Sequence, residues 1–315
     1  MSTQVGRPSS VFIGVDLGGT ATRFIATDAG ARVLNSQIVS TPAKVTNAER
    51  EKFLSDAIVG VSGGMAITAI GIGASGPISP DGIIENPDTL PAFTGIDVPA
   101  ILTRTFRAPT FINNDAVTAA IGEATSGAGQ GFDNILMITL GTGIGVCMLQ
   151  RGEPVRGADG QHPETGHMSI TGPPAPCYCG RDTCWEKSAS RSALEKSSSL
   201  RVTNPTHSSL DIKRMADRAS AGDQHAITMF NEFGNKLAEG TATLLTVYRP
   251  EILIIGGGGS AYFAHYEGSL QANLKRFTGT FPSPRIAVAH HGEFGGAIGA
   301  ASMAIARSSS GSPAA

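Results

Sequence analysis

Several things are missing from this chain of 315 residues, and each absence narrows what it can be. No run of about 18 apolar residues occurs, so no helical membrane span is expected. The first ten residues have neither a cationic start nor an apolar core, so no secretory signal is read there and a cytoplasmic protein is expected. Charge is scarce, at 16% of residues with a net charge of -2, which gives no electrostatic reason to expect nucleic acid or an anionic membrane as partner. No Gly-x-x-x-x-Gly-Lys-Ser/Thr run is present, which removes a Walker phosphate loop. Cysteine is limited to four residues, and nothing else suggests an oxidising compartment. What the chain does have is 41% apolar residues and 40 glycines, most of them in turns after apolar runs. That is enough to build real cores, and the length suggests two domains.

One segment recurs. Val11-Phe12-Ile13-Gly14-Val15 reads as a buried strand, followed by Asp16-Leu17-Gly18-Gly19-Thr20, a second β-rich run over 21–27, a turn, and a third strand over 32–39. Residues 134–140 again read as a buried strand, followed by Gly141-Thr142-Gly143-Ile144-Gly145 and a β-run through Leu149. Strand, Gly/Thr turn and strand therefore appear twice, as one folding unit used once per domain. A dinucleotide fingerprint needs a helix after its glycines. Here a strand follows in both cases, so that reading fails. What remains is a matched pair of turns whose backbone N–H groups and Thr hydroxyls can hold a triphosphate between them. Asp16 adds a carboxylate able to reach Mg²⁺. Each turn taken alone reads as a plain hairpin; it is the matched pair that points to phosphate.

Two strand ends carry further candidates. Residues 251–255 form a buried strand after a helical stretch, 233–248, that stops at Pro250. Gly256-Gly257-Gly258-Gly259 follows, where a flat ligand such as adenine can approach the backbone; a strand-to-helix turn has the same composition. Pro109-Thr110-Phe111-Ile112-Asn113-Asn114-Asp115 is a short strand leading into a helix over 116–124. Asn and Asp there suit a helix cap. In a phosphotransferase the same carboxylate, Asp115, suits the base that takes the proton of the attacking hydroxyl.

The most specific chemistry lies in Gly166-His167 and Cys177-Tyr178-Cys179-Gly180-Arg181-Asp182-Thr183-Cys184-Trp185-Glu186. Three thiolates and an imidazole make a closed tetrahedral zinc site with no open position, hence a scaffold rather than a water activator. Glu186 would then be fixed two residues beyond the last sulfur. Buried or disulfide-bonded cysteines are the other reading. Cys147, in the apolar run Gly145-Val146-Cys147-Met148-Leu149, reads as packing.

Taken in order, Asp16-Leu17-Gly18-Gly19-Thr20, Asn114-Asp115, Gly141-Thr142-Gly143-Ile144-Gly145, Glu164-Thr165-Gly166-His167, the cysteine run and Gly256-Gly257-Gly258 resemble the ROK family of bacterial sugar kinases and related repressors, most closely its glucokinase branch. The resemblance covers about 11–306. It implies an actin-like, ribonuclease-H-like α/β fold of two domains with ATP and sugar in the cleft between them. The expected division is a smaller domain over 11–115, with a helix at about 296–306 packing back on it, and a larger, zinc-bearing domain over 116–295. Residues 1–10 and 307–315 are expected to be disordered. Carried over by position, Asp115 would be the base, and Asn114, Glu164, His167 and Glu186 would hold sugar hydroxyls. Ser75, Gly76, Pro77 and Asn86 match loops that line the sugar. His167, Cys177, Cys179 and Cys184 would bind Zn²⁺. Asp16, Gly18, Gly19, Thr20, Gly141, Thr142 and Gly143 would surround the phosphates of ATP with Mg²⁺, and Gly257 would face the adenosine. A homodimer or homotetramer is implied.

Four positions depart from the family pattern: Thr183 for a glycine, Thr165 for an apolar residue, Val117 for an asparagine and Ser75 for a proline. None removes a ligand or the base, but they lie near the sugar. The acidic pair Glu164 and Glu186 suits free hydroxyls near C1 and C2 and leaves little for an N-acetyl group, so glucose is the expected hexose. Fructose, mannose, allose or an N-acetylhexosamine is the alternative. A non-catalytic sugar-binding protein would lack the base or the turns, and a repressor would need a helix-turn-helix before Val11, where no basic or helical segment is seen.

Overall fold

The computed structural model describes residues 9–279 and 282–310, which fall into two compact units. The first comprises the chain up to Gly131, the excursion Gly152–His162 and the segment from His290 onward; the second comprises Phe132–Arg151 and Pro163–Ala289. The division does not follow a single cut after Asp115. The helix that begins there stays with the first unit because it packs along the last helix of the chain. Of the ends expected to be disordered, Ser10 already pairs with Ala66, and residues 307–310 continue the last helix, where Arg307 lies over the Phe111 ring at 5.6 Å. Residues 1–8 and 311–315 lie outside the described residues.

In the first unit β1 (Ser10–Leu17), β2 (Ala21–Thr27), β3 (Val33–Ser40), β4 (Ala66–Ala74) and β5 (Thr110–Asn114) form one sheet in the order β3-β2-β1-β4-β5. β1 to β3 run antiparallel, while β4 and β5 run parallel to β1. One face is covered by α1 (Asn47–Ser62) and α2 (Val98–Phe106), around a core that includes Ile13, Phe24, Ile58, Ile72 and Phe93. Thr46 opens α1 with a capping box closed by Glu49, which satisfies two of the helix's orphan donors. The other face carries α3 (Asp115–Ser126) and the last helix.

The second unit repeats the plan. β6 (Asn134–Leu140) and β7 (Ile144–Gln150) form an antiparallel pair, the excursion carries the two-residue β8 (Glu153–Pro154), and β9 (Ile252–Gly256) and β10 (Arg285–Val288) run parallel to β6, with neighbours in the order β10-β9-β6-β7. Strand, Gly/Thr turn, antiparallel strand and added parallel strands thus occur in both units, as the repeat predicts. The helices are α4 (Glu186–Ala189), α5 (Arg191–Ser199), α6 (Ser209–Ser220), α7 (Gln224–Tyr248) and α8 (Phe263–Thr278). α7 begins nine residues before the apolar pattern suggested, under an Asp223 cap that accepts from His225 and Ala226. Among the described residues no helix is long and apolar enough to cross a membrane.

The last helix, α9 (Gly295–Ser310), lies on the first sheet with almost no side-chain layer between. A Cβ on Gly14 of β1 or Gly71 of β4 would strike the carbonyl of Ala297 or Ala300. A Cβ on Gly299 would strike the carbonyl of Thr118 where α9 crosses α3. Backbone cannot swing away as a side-chain end can, so these contacts fix the height of α3 on the sheet and with it the position of its first residue, Asp115. Gly299→Ala is expected to lower the melting temperature by several degrees, corresponding to about 1–3 kcal/mol of overpacking. Gly268→Ala, in α8 with nothing within 4 Å of the new methyl, should leave it unchanged or raised. Thermal unfolding of both variants checks the contrast, and equal effects would refute it.

Candidate active site and metal cluster

In the first unit the candidate base stands at the junction of β5 and α3. Asn114 caps the helix, its Oδ1 accepting from the Ala116 amide at 2.8 Å with extended backbone (φ -62, ψ 147). The helix-cap role that Asp115 shared with Asn114 in the sequence thus falls first to Asn114. Asp115 Oδ1 also accepts from Ala116 at 2.8 Å, and the Ser75 hydroxyl donates to Oδ2 at 2.9 Å. Ser75, a departure from the family pattern, touches the carboxylate directly. Asn86 spends its side chain on the same loop: its amide donates to the Gly76 carbonyl at 2.8 Å and its Oδ1 accepts from Thr89. Gly76 leaves room for the Asn114 side chain, since a Cβ there would lie 2.9 Å from Asn114 Nδ2.

Asp16 is the next-to-last residue of β1 and lies beneath the start of α9, where a Cβ on Gly296 would come within 2.8 Å of its carboxyl carbon. Burial first, and the Asp115 carboxylate second, push its pKa up to about 7, with Arg23 pulling the other way. A carboxyl group destabilised as an anion by a second carboxylate is one that gains from a cation, so Asp16 fits an Mg²⁺-facing role. The Gly18-Gly19-Thr20 turn beside it is clamped by Thr41, whose hydroxyl donates to the Gly18 carbonyl at 2.6 Å and whose amide donates to Thr20.

Two residues not singled out by sequence line a cavity of about 260 Å³ with Asn113, Asn114 and Ser79: Arg156 and His162. Arg156 donates to Asn113 Oδ1 at 3.3 Å, and burial holds the His162 imidazole below its usual value against the pull of Asp115. Both lie in the 152–162 excursion, which has no strand or helix pattern to flag it.

In the second unit the four expected zinc donors do converge. One donor atom each from His167, Cys177, Cys179 and Cys184 lies within 4.8 Å of the others. Cys177 Sγ is 3.5 Å from His167 Nδ1, and Cys179 and Cys184 Sγ are 3.4 Å apart, with all four cysteines free of disulfides. Those spacings and a donor set of three sulfurs and one imidazole fit a tetrahedral zinc ion. Burial pushes the Cys184 thiol up to about 12, so a cation is what would make it a thiolate ligand. The loop is built for this. Gly180 closes a turn onto Cys177, Arg181 donates to the His167 carbonyl at 2.8 Å, and Ser169 bridges Cys184. Next to Cys184, the chain's one tryptophan, Trp185, is fully buried, its indole N–H donating to the Lys236 carbonyl at 2.9 Å. Gly240 of α7 leaves the gap its ring fills.

Glu186 follows and starts α4. Its Oε1 lies 3.4 Å from Cys177 Sγ, 3.6 Å from Lys187 Nζ and 3.8 Å from His167 Nδ1, and it is 8% exposed. Its other oxygen sits where a Cβ on Gly143 would be, so the cluster and the Gly141-Thr142-Gly143 turn are in contact within this unit. That turn closes by Gly141 donating to the Gly143 carbonyl at 3.0 Å, and Ser192 of α5 donates to Gly141 at 3.4 Å. Gly257, at φ +74, is closed to any side chain, since a Cβ there would lie 2.7 Å from the Leu140 backbone. Glu164 is exposed one residue before the short 3-10 turn Thr165–His167. Tyr178, between two cysteine ligands, is a contact the sequence did not suggest. Its hydroxyl is 2.9 Å from His167 Nε2.

Two α/β units on one strand–turn–strand plan are the architecture of the actin-like ATPase class; here the first also carries a carboxylate at a strand end and the second a cluster of four possible metal donors. Within that class, residues 12–307 match the model of the ROK family, and the chain belongs to it. It is 31% identical over 319 residues to the glucokinase of Thermotoga maritima, covering 94% of this chain and 98% of that protein. Among solved structures, a ROK family glucokinase from Streptomyces griseus in complex with glucose and AMPPNP is 29% identical, with a TM-score of 0.80 over 93% of this chain and 99% of that one. The ROK hexokinase of Thermus thermophilus also reaches a TM-score of 0.80, at 28% identity over 95% and 99% of the two chains.

Asp16 supplies a pH test. Its folded-state pKa is raised from 3.8 to about 7, so the folded protein holds the proton more tightly than the unfolded chain, and stability falls as pH rises through that window. In Mg²⁺-free buffer Asp16→Asn should therefore stabilise the protein at pH 8 by about 1–2 kcal/mol more than at pH 5. Melting curves at the two pH values check this, and an equal or reversed difference would count against the assignment.

Proposed function

We propose that this ROK-family sugar kinase transfers the γ-phosphate of ATP to the 6-hydroxyl of glucose, with Asp115 as the general base. The observation that carries the reading is the pairing at the end of β5: Asn114 caps α3 while Ser75 holds one oxygen of the Asp115 carboxylate. A carboxylate fixed by a neighbouring hydroxyl and kept at a strand end is positioned to take a proton from a substrate hydroxyl. In the step, the 6-hydroxyl proton passes to Asp115 as the sugar oxygen bonds to the γ-phosphorus. The bond from that phosphorus to the β–γ bridging oxygen breaks, its electron pair leaving with ADP. Magnesium, when bound with ATP, would offset the phosphate charge, and Asp16 is the carboxylate suited to face it. The backbone amides of Gly18, Gly19, Thr20, Gly141, Thr142 and Gly143 are the donors assigned to the phosphates, and Gly257 is the neighbour assigned to the adenosine.

Sugar hydroxyls are assigned to Asn114, Glu164, His167 and Glu186, with Ser75, Gly76 and Asn86 shaping the loop. Zinc held by His167, Cys177, Cys179 and Cys184 would supply no reaction step; it would pin the loop from which Glu186 projects. Carboxylates accept strongly from adjacent hydroxyls and offer an N-acetyl amide no partner for its carbonyl, which favours glucose over N-acetylglucosamine.

A coupled assay for ADP release with glucose, mannose, fructose and N-acetylglucosamine tests both parts. Glucose should show the highest kcat/KM, and Asp115→Asn should lower turnover with glucose by at least about 100-fold while ATP still binds. Retention of more than a tenth of wild-type turnover by Asp115→Asn would remove Asp115 as base. A higher kcat/KM for another hexose would overturn the substrate while leaving the kinase.

A further inference from the structure

His167 has been given two tasks, a metal ligand and a sugar contact, and an imidazole has two ring nitrogens with which to perform them. The structure accounts for both. Nδ1 faces the thiol cluster, 3.5 Å from Cys177 Sγ and 3.8 Å from Glu186 Oε1. Nε2 lies 2.9 Å from the Tyr178 hydroxyl, and the two rings meet edge to face with centroids 5.0 Å apart at 90°. A ligating nitrogen must offer its lone pair, so in the metal-bound protein the single imidazole proton sits on Nε2. That N–H then donates to Tyr178 Oη. Neither nitrogen is left for a sugar hydroxyl.

The phenol that occupies Nε2 is well placed to replace it. Oη accepts one bond from His167 and keeps its own O–H and a second lone pair. Tyr178 is 68% exposed, so ligand can reach it, although its neighbours Cys177 and His167 are almost fully buried. Its backbone is held on both sides, by Cys177 before it and Cys179 after it, so whatever fixes the cluster also fixes the base of this side chain.

We infer that Tyr178 takes over the sugar contact from His167, its hydroxyl donating to a ring hydroxyl of a pyranose while accepting from His167 Nε2. Tyr178 is thereby a specificity-determining residue, and His167 serves the sugar only through it. This rests on the sugar-kinase reading above. A phenol on a ring with two rotatable bonds reaches several ångströms farther than the imidazole behind it. If Glu164 and Glu186 hold the sugar as assigned, the residue between the first two cysteines, a position that the zinc ligand pattern leaves open, narrows that end of the site in this chain.

The test is Tyr178→Phe, which keeps the ring and removes only the oxygen. Wild-type protein must first phosphorylate at least one hexose; if it phosphorylates none, the function above fails and Tyr178 is not at issue. With the preferred hexose, Tyr178→Phe should raise both KM and the calorimetric Kd for sugar by about 5- to 20-fold, corresponding to one lost hydrogen bond. The value of kcat should stay within about twofold, KM for ATP should not change, and zinc content should stay near one per chain. Comparison across deoxy analogues of the hexose separates a contact from a structural effect. The penalty of Tyr178→Phe should vanish for the one analogue that lacks the hydroxyl Tyr178 contacts. Unchanged or tighter sugar binding overturns the inference, as does a penalty equal for every deoxy analogue. Loss of zinc from Tyr178→Phe without an analogue-selective penalty also overturns it, since the phenol would then serve only the metal loop.

Discussion

The convergence of four donor atoms in the loop that runs from Glu164 to Glu186 is the constraint on which the second unit's site depends. Three sulfurs and an imidazole nitrogen lie within 4.8 Å of one another, and the rest of the loop is arranged around them. Without a cation the arrangement is unfavourable: two buried thiols, Cys177 and Cys184, resist ionisation, and the Glu186 carboxylate lies 3.4 Å from the Cys177 sulfur. With one, the same geometry becomes a closed scaffold. Its effects spread outward by contact. Trp185 anchors the end of the loop into α7 through its bond to Lys236, Glu186 projects over Gly143, and Tyr178 stands against His167.

The first unit solves a different problem, the placement of a charged group at a strand end. β1, β4 and β5 run parallel, so their C-terminal ends gather Asp16, Ala74 and Asn114 along one edge. Ligand sites in open α/β sheets favour that edge. Here it brings two carboxylates, Asp16 and Asp115, near enough that one raises the other. Glycine contacts of α9 with β1, β4 and α3 set the heights involved, so the chemistry of the edge depends on backbone packing beneath it.

Much of this was legible in the sequence. The repeated strand, Gly/Thr turn and strand forecast both antiparallel hairpins, because apolar runs broken by glycine and threonine have few other solutions. The metal donors were legible because cysteine is rare here and three of the four fall together. Less legible were features made by contacts distant in sequence. The attachment of α3 to the first unit depends on Gly122 and Gly299, 177 positions apart, and no local pattern announces it. Arg156 and His162 lie in a segment with little regular structure and acquire meaning only beside Asn113 and Asn114. Ser75 was visible as a departure from a family pattern, but its bond to Asp115 was not. Tyr178 was in plain view between two cysteines, yet nothing in one dimension says that its hydroxyl reaches an imidazole eleven residues back.

In the proposed reading, a metal held by His167, Cys177, Cys179 and Cys184 positions the groups of the second unit assigned to the sugar. The most direct measurement is calorimetric titration of hexose and of ATP into zinc-loaded protein, chelator-stripped protein and stripped protein given back one equivalent of zinc. Trp185 fluorescence, followed in parallel, reports the state of the loop beside Cys184. About one zinc per chain is expected as purified. Stripping should weaken hexose binding by tenfold or more and alter the Trp185 emission, ATP binding should persist, and added zinc should restore the first two. Full hexose affinity in protein shown to be free of metal would contradict that reading.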